Sequence, residues 1–130
     1  RSRRRCRWRG RGTPRAGGGD RRIGLGGGTG PVVGNTVRTC QVAPAAAAGT
    51  IRSVALNATA IQPKGQGNLR VYPAGGSVPT VSTLNYVSKT TDVANFAIVK
   101  LGTNGMLTLY SAGSPIDVAV DIVGYIPAVN

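Results

Sequence analysis

The stretch PIDVAVDIVGY (residues 115–125) decides the fold, because large apolar residues alternate in it with charged or smaller ones. One face would carry four branched apolar side chains, those of Ile116, Val118, Val120 and Ile122. The opposite face would carry Asp117, Ala119, Asp121 and Val123. A period of two with one apolar face is typical of a β-strand that buries one side. The stretch therefore predicts a strand and not a helix.

Similar short segments precede it, separated by turns rich in Gly and Pro. They are TVRTCQV (36–42), IRSVALNATAI (51–61), NLRVYP (68–73), TVSTLNY (80–86), VANFAIVKL (93–101) and MLTLYS (106–111). Many short strands with regular turn signals favour an antiparallel β-sandwich, with a closed barrel as the alternative. We therefore predict an all-β domain of seven or eight short strands.

Two of these segments support more specific predictions. VANFAIVKL (93–101) is apolar on both faces, which predicts a central strand covered on each side. GTNG (102–105) matches a type I′ hairpin turn, since Asn104 and Gly105 tolerate positive φ. Residues 106–111 are therefore expected to pair back onto residues 93–101.

Positive charge is concentrated at one end of the chain. Ten of the sixteen Lys and Arg residues precede Ile23, whereas six basic residues and three acids follow it. This contrast predicts two parts, a basic Gly-rich arm (residues 1–22) and a β-sandwich module (residues 23–130). The arm is either a native segment, disordered in isolation, or a non-native extension from an unintended reading frame.

If native, the arm is the candidate site for polyanions. Its candidate residues are Arg3, Arg4, Arg5, Arg7, Trp8, Arg9 and Arg11. Guanidinium groups neutralise phosphates while an indole ring stacks on bases, so a nucleic-acid-binding or capsid-type protein is the alternative function. Anionic glycans at a cell surface are the other polyanions that such an arm would attract.

The chain has two cysteines, Cys6 and Cys40, which are too few for a disulfide framework or a zinc site. A bond between them would tie the arm to the first strand of the body, and such a bond fits an oxidising compartment. The alternative is a pair of unpaired thiols.

Composition argues against catalysis, because the chain contains no His and its four acids are all Asp. A Ser-His-Asp triad, a Cys-His pair, a His-ligated zinc and a Glu base are therefore excluded. Asp117 and Asp121 would lie about 13 Å apart along a strand, too far to chelate one ion together. We predict no enzyme activity, no cofactor and no metal.

Polar and aromatic residues inside the strands are the remaining candidates. Asn57, Asn85, Asn95 and Asp121 are expected to hydrogen-bond backbone of loops or strand edges and so have a structural role. Tyr72 and Tyr110, with Arg70 beside Tyr72, are predicted to face away from the core. If their strands are neighbours, the rings would form a platform for a sugar or partner; otherwise they pack under loops.

The ordered series VALNATA (54–60), GNLRVYPAG (67–75), STLNYV (82–87), VANFAIVKLGTNGMLTLYSAG (93–113) and IDVAVDIVGY (116–125) resembles an accessory module of secreted and surface proteins of actinobacteria and related bacteria, whose repeats end in a VDVVVDVVGY-like strand. The resemblance covers about residues 20–126. It implies a β-sandwich without catalytic activity in an extracellular or cell-surface protein, and it assigns no binding residues.

These observations together predict a structural or binding module, in a secreted or surface protein or appendage. Expected partners are cell-surface polysaccharide, other protein modules or further copies of itself, with polyanions bound through the arm. No apolar run reaches the 18 residues that a membrane span requires, so no span is expected.

Overall fold

A computed structural model of the chain describes residues 5–8, 36–43, 49–87 and 91–129. Eight strands lie within them: β1 (Arg5–Trp8), β2 (Thr36–Gln41), β3 (Ile51–Ile61), β4 (Gly67–Pro73), β5 (Leu84–Tyr86), β6 (Val93–Lys100), β7 (Met106–Gly113) and β8 (Asp117–Pro127). They form two four-stranded antiparallel sheets, which we call sheet I (β1-β8-β3-β6) and sheet II (β2-β7-β4-β5). The sheets do not close into a barrel, so the predicted β-sandwich is confirmed.

The centre of sheet I is the pair of long strands β3 and β8. Leu56 lies opposite Ile122, and Ala58 lies opposite Val120, so the two alternating patterns place their apolar residues on the same face. A register shift occurs between Ala55 and Leu56. Such a bulge bends a strand and increases its local twist. The alternating apolar residues from which β8 was predicted therefore lie on the inner face of this sheet.

The core lies between the inner faces of the two sheets. The largest fully buried apolar side chains within the strands are Leu56, Val54, Val118 and Val120 from sheet I and Leu69, Leu107 and Leu109 from sheet II. Burial of one leucine side chain stabilises a fold by about 2 kcal/mol relative to full exposure. Aliphatic residues therefore supply most of the hydrophobic stabilisation.

A disulfide between Cys6 and Cys40 joins the two sheets. Cys6 lies on β1 opposite Val120, and Cys40 lies on β2 opposite Leu107, with 6.2 Å between the two Cα atoms. Both cysteines are buried. Of the two alternatives that the sequence left open, the structure therefore shows the bonded pair, which connects strand β1, in the segment predicted as an arm, to the body.

Two local predictions are wrong. β6 is an edge strand of sheet I and not a central one, and the outward-facing Phe96 and Ile98 are exposed. Residues 102–105 do not close a hairpin, since β7 pairs with β2 and β4 in sheet II. For β6 the physical reason is that an apolar outer face has the same sequence pattern whether another element covers it or it is exposed.

The turn between β6 and β7 carries the chain from one sheet to the other. Asn104 (φ 57°) and Gly105 (φ 75°) have the positive φ values that the sequence predicted. The carbonyl oxygen of Gly105 accepts hydrogen bonds from the amides of Val42 and Ala43, each at 3.2 Å. The turn therefore packs on the end of β2 instead of reversing a β-ribbon.

β5 is shorter than the predicted segment 80–86. Upstream of it, the side chain of Thr83 accepts a hydrogen bond from the amide of Val71 at 2.9 Å, while its own amide donates to the Leu69 carbonyl at 2.8 Å. A hydroxyl thus replaces a backbone carbonyl in the ladder. With this side-chain acceptor the regular pairing with β4 ends, and residues 79–83 form a loop along the sheet edge.

Candidate binding surfaces

Arg70 and Tyr110 lie opposite each other on β4 and β7, on the outer face of sheet II. The guanidinium carbon of Arg70 lies 5.5 Å from the centroid of the Tyr110 ring, within the range of a cation–π contact. Arg70 Nη1 donates to the Pro79 carbonyl at 2.9 Å, and its Nε donates to Asn68 Oδ1 at 3.1 Å. The guanidinium is therefore held in one orientation above the ring, on an interior strand of the sheet.

Tyr72 lies two residues further along the same face of β4. Its strand is next to that of Tyr110, as the platform interpretation required. Only 6% of Tyr72 is exposed, however. Burial raises the pKa of the Tyr72 phenol, and electrostatic interaction with Tyr110 raises it further. Tyr72 thus matches the alternative in which these rings pack under loops, whereas Tyr110 remains half-buried.

An open, mainly apolar cleft of about 440 Å³ lies beside Tyr72. One wall is formed by β4 and the loop at residues 79–83, and the other wall is the second half of β6 (residues 97–100). Within this lining Val81 is 72% exposed. The cleft exists because β5 is too short to extend along β4, so the space between the two sheet edges is left open.

The outer face of sheet I carries a second apolar surface. Phe96 and Ile98 on β6 are 57% and 60% exposed, and Val123 on β8 is 57% exposed. Small residues such as Ala55 occupy the same face of β3 between these strands. We call this set the sheet I apolar face (Ala55, Phe96, Ile98, Val123). An exposed apolar patch of this kind on a folded domain commonly marks an interaction site.

The polar strand residues divide into different local roles. Asn95 Nδ2 donates to the Thr83 carbonyl at 2.8 Å, which links β6 of sheet I to the loop at residues 79–83 of sheet II. Asn85 Oδ1 accepts from Ser82 Oγ at 2.8 Å, a local contact in the same chain segment. Asn57 and Asp121 lie opposite each other on β3 and β8.

Sequence reasoning missed two tyrosine hydroxyls that connect distant segments. The Tyr86 hydroxyl donates to the Ser114 carbonyl at 2.9 Å and lies 3.2 Å from Oγ of the fully buried Ser111. Burial raises the pKa of Tyr86, and its hydrogen bond to Ser111 opposes that rise. The Tyr125 hydroxyl donates to the Val42 carbonyl at 2.9 Å. Nothing local in the sequence indicates either partner.

The candidates for polyanion binding fall mostly outside the described residues, as Arg3, Arg4, Arg9 and Arg11 do. The other three, Arg5, Arg7 and Trp8, belong to β1. Arg5 pairs in register with Asp121 of β8, and Arg7 pairs with Ala119. Part of the basic segment is therefore a strand of sheet I.

Among the described residues, no group of three His, Cys, Asp or Glu side chains is placed to hold a metal ion. No helix in that part of the chain is long and apolar enough to cross a membrane. No model of a known protein family matches the chain, and a search of curated proteins finds no significant match.

Proposed function

We propose that this protein is a non-catalytic structural or binding module of a secreted or surface-exposed protein. The observation that carries the proposal is the sheet I apolar face, where Phe96, Ile98 and Val123 stay more than half exposed on a domain whose core is otherwise well buried. Large side chains exposed in this way suit a contact surface for a partner. The resemblance of the strand series to an accessory module agrees with this role.

The composition of the chain supports a role in contact instead of catalysis. The sequence has no His and no Glu, so general acid–base chemistry would have to use Asp, Lys or Tyr without these usual partners. Asp117 and Asp121 lie on one strand, about 13 Å apart at the usual rise per residue. Asp92 Oδ1 accepts a hydrogen bond from the backbone amide of Gln62 at 3.0 Å, which is a structural contact.

The disulfide between Cys6 and Cys40 supports placement outside the reducing cytosol. Stable disulfides are typical of secreted and surface proteins. This bond is buried between two sheets, where access of a reductant is restricted. A location at the cell surface or in the extracellular space is therefore part of the proposal.

The ligand class that we propose is cell-surface polysaccharide or another protein module. The experiment is to incubate the full chain with insoluble cell-wall polysaccharide, measure its depletion from solution, and assay the same samples for released reducing ends. We expect depletion without release, and a weaker depletion for Phe96→Ser. The control is Val78→Ser, at an apolar residue that is also exposed, on a loop away from this face. Release of reducing ends in proportion to protein concentration would overturn the proposal.

A further inference from the structure

Strand β6 presents a free edge within the part of the chain that the structure describes. Sheet I has the order β1-β8-β3-β6, so β3 pairs with one side of β6 only. The amide of Leu101 donates to the Arg52 carbonyl at 3.0 Å. Leu101 and every second residue before it therefore direct their backbone groups toward β3. In an antiparallel pair every second residue points its amide and carbonyl away from the partner. The backbone amides and carbonyls of Ala94, Phe96, Ile98 and Lys100 therefore point away from β3, toward the free edge of the sheet.

The sequence along this edge is complementary to itself when it is reversed about Phe96. Asp92 and Lys100 are each four residues from Phe96, on opposite sides, and Ala94 and Ile98 are each two residues from it. All five residues are exposed. An antiparallel partner with the same sequence would therefore bring opposite charges together at both ends and a small residue opposite a large one between them.

We propose that β6 pairs antiparallel with β6 of a second copy of this chain, with Phe96 opposite Phe96 of the second copy. This inference rests on the proposed function and names a partner for its contact surface. Two four-stranded sheets would then join into one continuous sheet of eight strands, with the sheet I apolar face shared across the junction. Cross-strand aromatic pairs and opposite-charge pairs both stabilise antiparallel sheets.

The charges select this register. Asp92 lies opposite Lys100 of the second copy, and the reverse pair forms by symmetry. A shift of two, four or six residues in either direction separates both pairs, and a shift of eight places two Lys100 or two Asp92 side chains opposite each other. A lysine on an edge strand normally opposes strand addition. In the centred register, however, its charge is matched by a carboxylate that the Gln62 amide already holds at the end of β6.

The cleft beside β6 gives the second copy a further apolar contact. In the centred register Val93 of the second copy lies opposite Val99, which lines the cleft. That position brings an aliphatic side chain toward the exposed Val81 on the facing wall. A strand pair buries less than the roughly 800 Å² per partner of a standard interface, so we expect a weak, concentration-dependent dimer.

Site-directed crosslinking tests the register. Cys6 and Cys40 are bonded to each other and are the only cysteines, so one introduced cysteine provides one free thiol. We expect Phe96→Cys to form a covalent dimer under mild oxidation at least about tenfold faster than Val123→Cys, which is equally exposed on the same face. Equal crosslinking rates for the two variants would overturn the proposal.

Charge reversal tests the same register without removing the aromatic ring. By sedimentation velocity, Lys100→Asp is expected to dissociate the dimer at concentrations about tenfold higher than the unaltered chain does. The double variant Asp92→Lys/Lys100→Asp restores both opposite-charge pairs and is expected to regain the dimer. A double variant as weak as the single one, or an unaltered chain that stays monomeric at millimolar concentration, would contradict the pairing.

These outcomes are separable from failure of the proposed function. A monomer that still binds polysaccharide without turnover would overturn the strand pairing alone. A dimer that releases reducing ends would overturn the non-catalytic role and leave the pairing intact.

Discussion

Cys6 of β1 and Cys40 of β2 connect the outer strands of the two sheets at the same side of the sandwich, with 6.2 Å between their Cα atoms. β1 has four residues, and among the described strands it pairs with β8 alone. So short a strand at a sheet edge has few hydrogen bonds of its own. The disulfide therefore anchors β1, and with it the basic segment that contains it.

Removal of this disulfide should destabilise the domain by about 4 kcal/mol, since it closes a loop of 34 residues in the unfolded chain. The variant is Cys6→Ser/Cys40→Ser, and the measurement is urea unfolding at equilibrium. The matched control is the unaltered chain with and without reductant. A midpoint that reduction leaves unchanged would show that the bond contributes little to stability.

Polyanion binding by the arm can be tested without loss of β1. Deletion of residues 1–22 would also remove Cys6, so we would instead replace Arg3, Arg4, Arg9 and Arg11 by Ser. Each lost phosphate contact should reduce the slope of log affinity against log salt by about 0.9 for duplex DNA. The control is Arg52→Ser/Lys64→Ser, two exposed basic residues of the body. Equal losses in the two variants would argue against a specific role of the arm.

Arg70→Met should reduce stability by about 1–2 kcal/mol. The substitution keeps an apolar chain of similar length but removes the hydrogen bonds to Pro79 and Asn68 and the contact with Tyr110. Thermal and urea unfolding would measure the loss. Arg52→Met, at an exposed position, is expected to change stability by less than about 0.5 kcal/mol. If both variants were equally stable, the ordered guanidinium would have no structural effect.

Tyr86→Phe should cost about 1–3 kcal/mol, because it removes a hydroxyl that bonds the Ser114 carbonyl and contacts the buried Ser111. Tyr125→Phe also removes one hydrogen bond, to Val42, but at a more exposed ring, so we expect a loss of about 1 kcal/mol or less. Urea unfolding of both variants gives the comparison. A larger loss for Tyr125→Phe would contradict this ordering.

Stability should fall at alkaline pH. The pKa values of Tyr72 and Tyr86 are raised above 10.0 by burial, so the folded state holds their protons more tightly than the unfolded chain does. This contribution is complete below about pH 10 and is lost as the pH rises through the folded pKa values. Urea unfolding between neutral pH and pH 11 would show the decline, and Tyr72→Phe/Tyr86→Phe should reduce it. An equal decline in that variant would assign it to other groups.

Most of the sandwich was predictable because its central strands bury only one face. β3 was predicted with its observed bounds, and β8 differs by two residues at each end. β1 was missed because its alternation of Cys6 and Trp8 is short and lies within a run of Arg. β6 was wrongly predicted to be a central strand. Both of its faces carry apolar residues, but the sequence does not show that one face is left uncovered.

The candidate surfaces were less predictable, because they depend on contacts between segments distant in sequence. The neighbouring positions of Arg70 and Tyr110 require the pairing of β4 with β7, which no local pattern specifies. The burial of Tyr72 and the cleft beside it depend on the loop at residues 79–83. The hydrogen bond from Asn95 to the Thr83 carbonyl likewise depends on how the loop at residues 79–83 packs against β6.

The central claim about the partner of this sandwich is that the free edge of β6 pairs with β6 of a second copy. Residue-resolved amide hydrogen exchange, compared between dilute and concentrated protein, tests it most directly. We predict that the amides of Ala94, Phe96, Ile98 and Lys100, which point away from β3, gain protection as the protein concentration rises. The amides of Asn95, Ala97 and Val99, which bond to β3, should stay protected at both concentrations. Outward amides that exchange equally fast at both concentrations would contradict the claim.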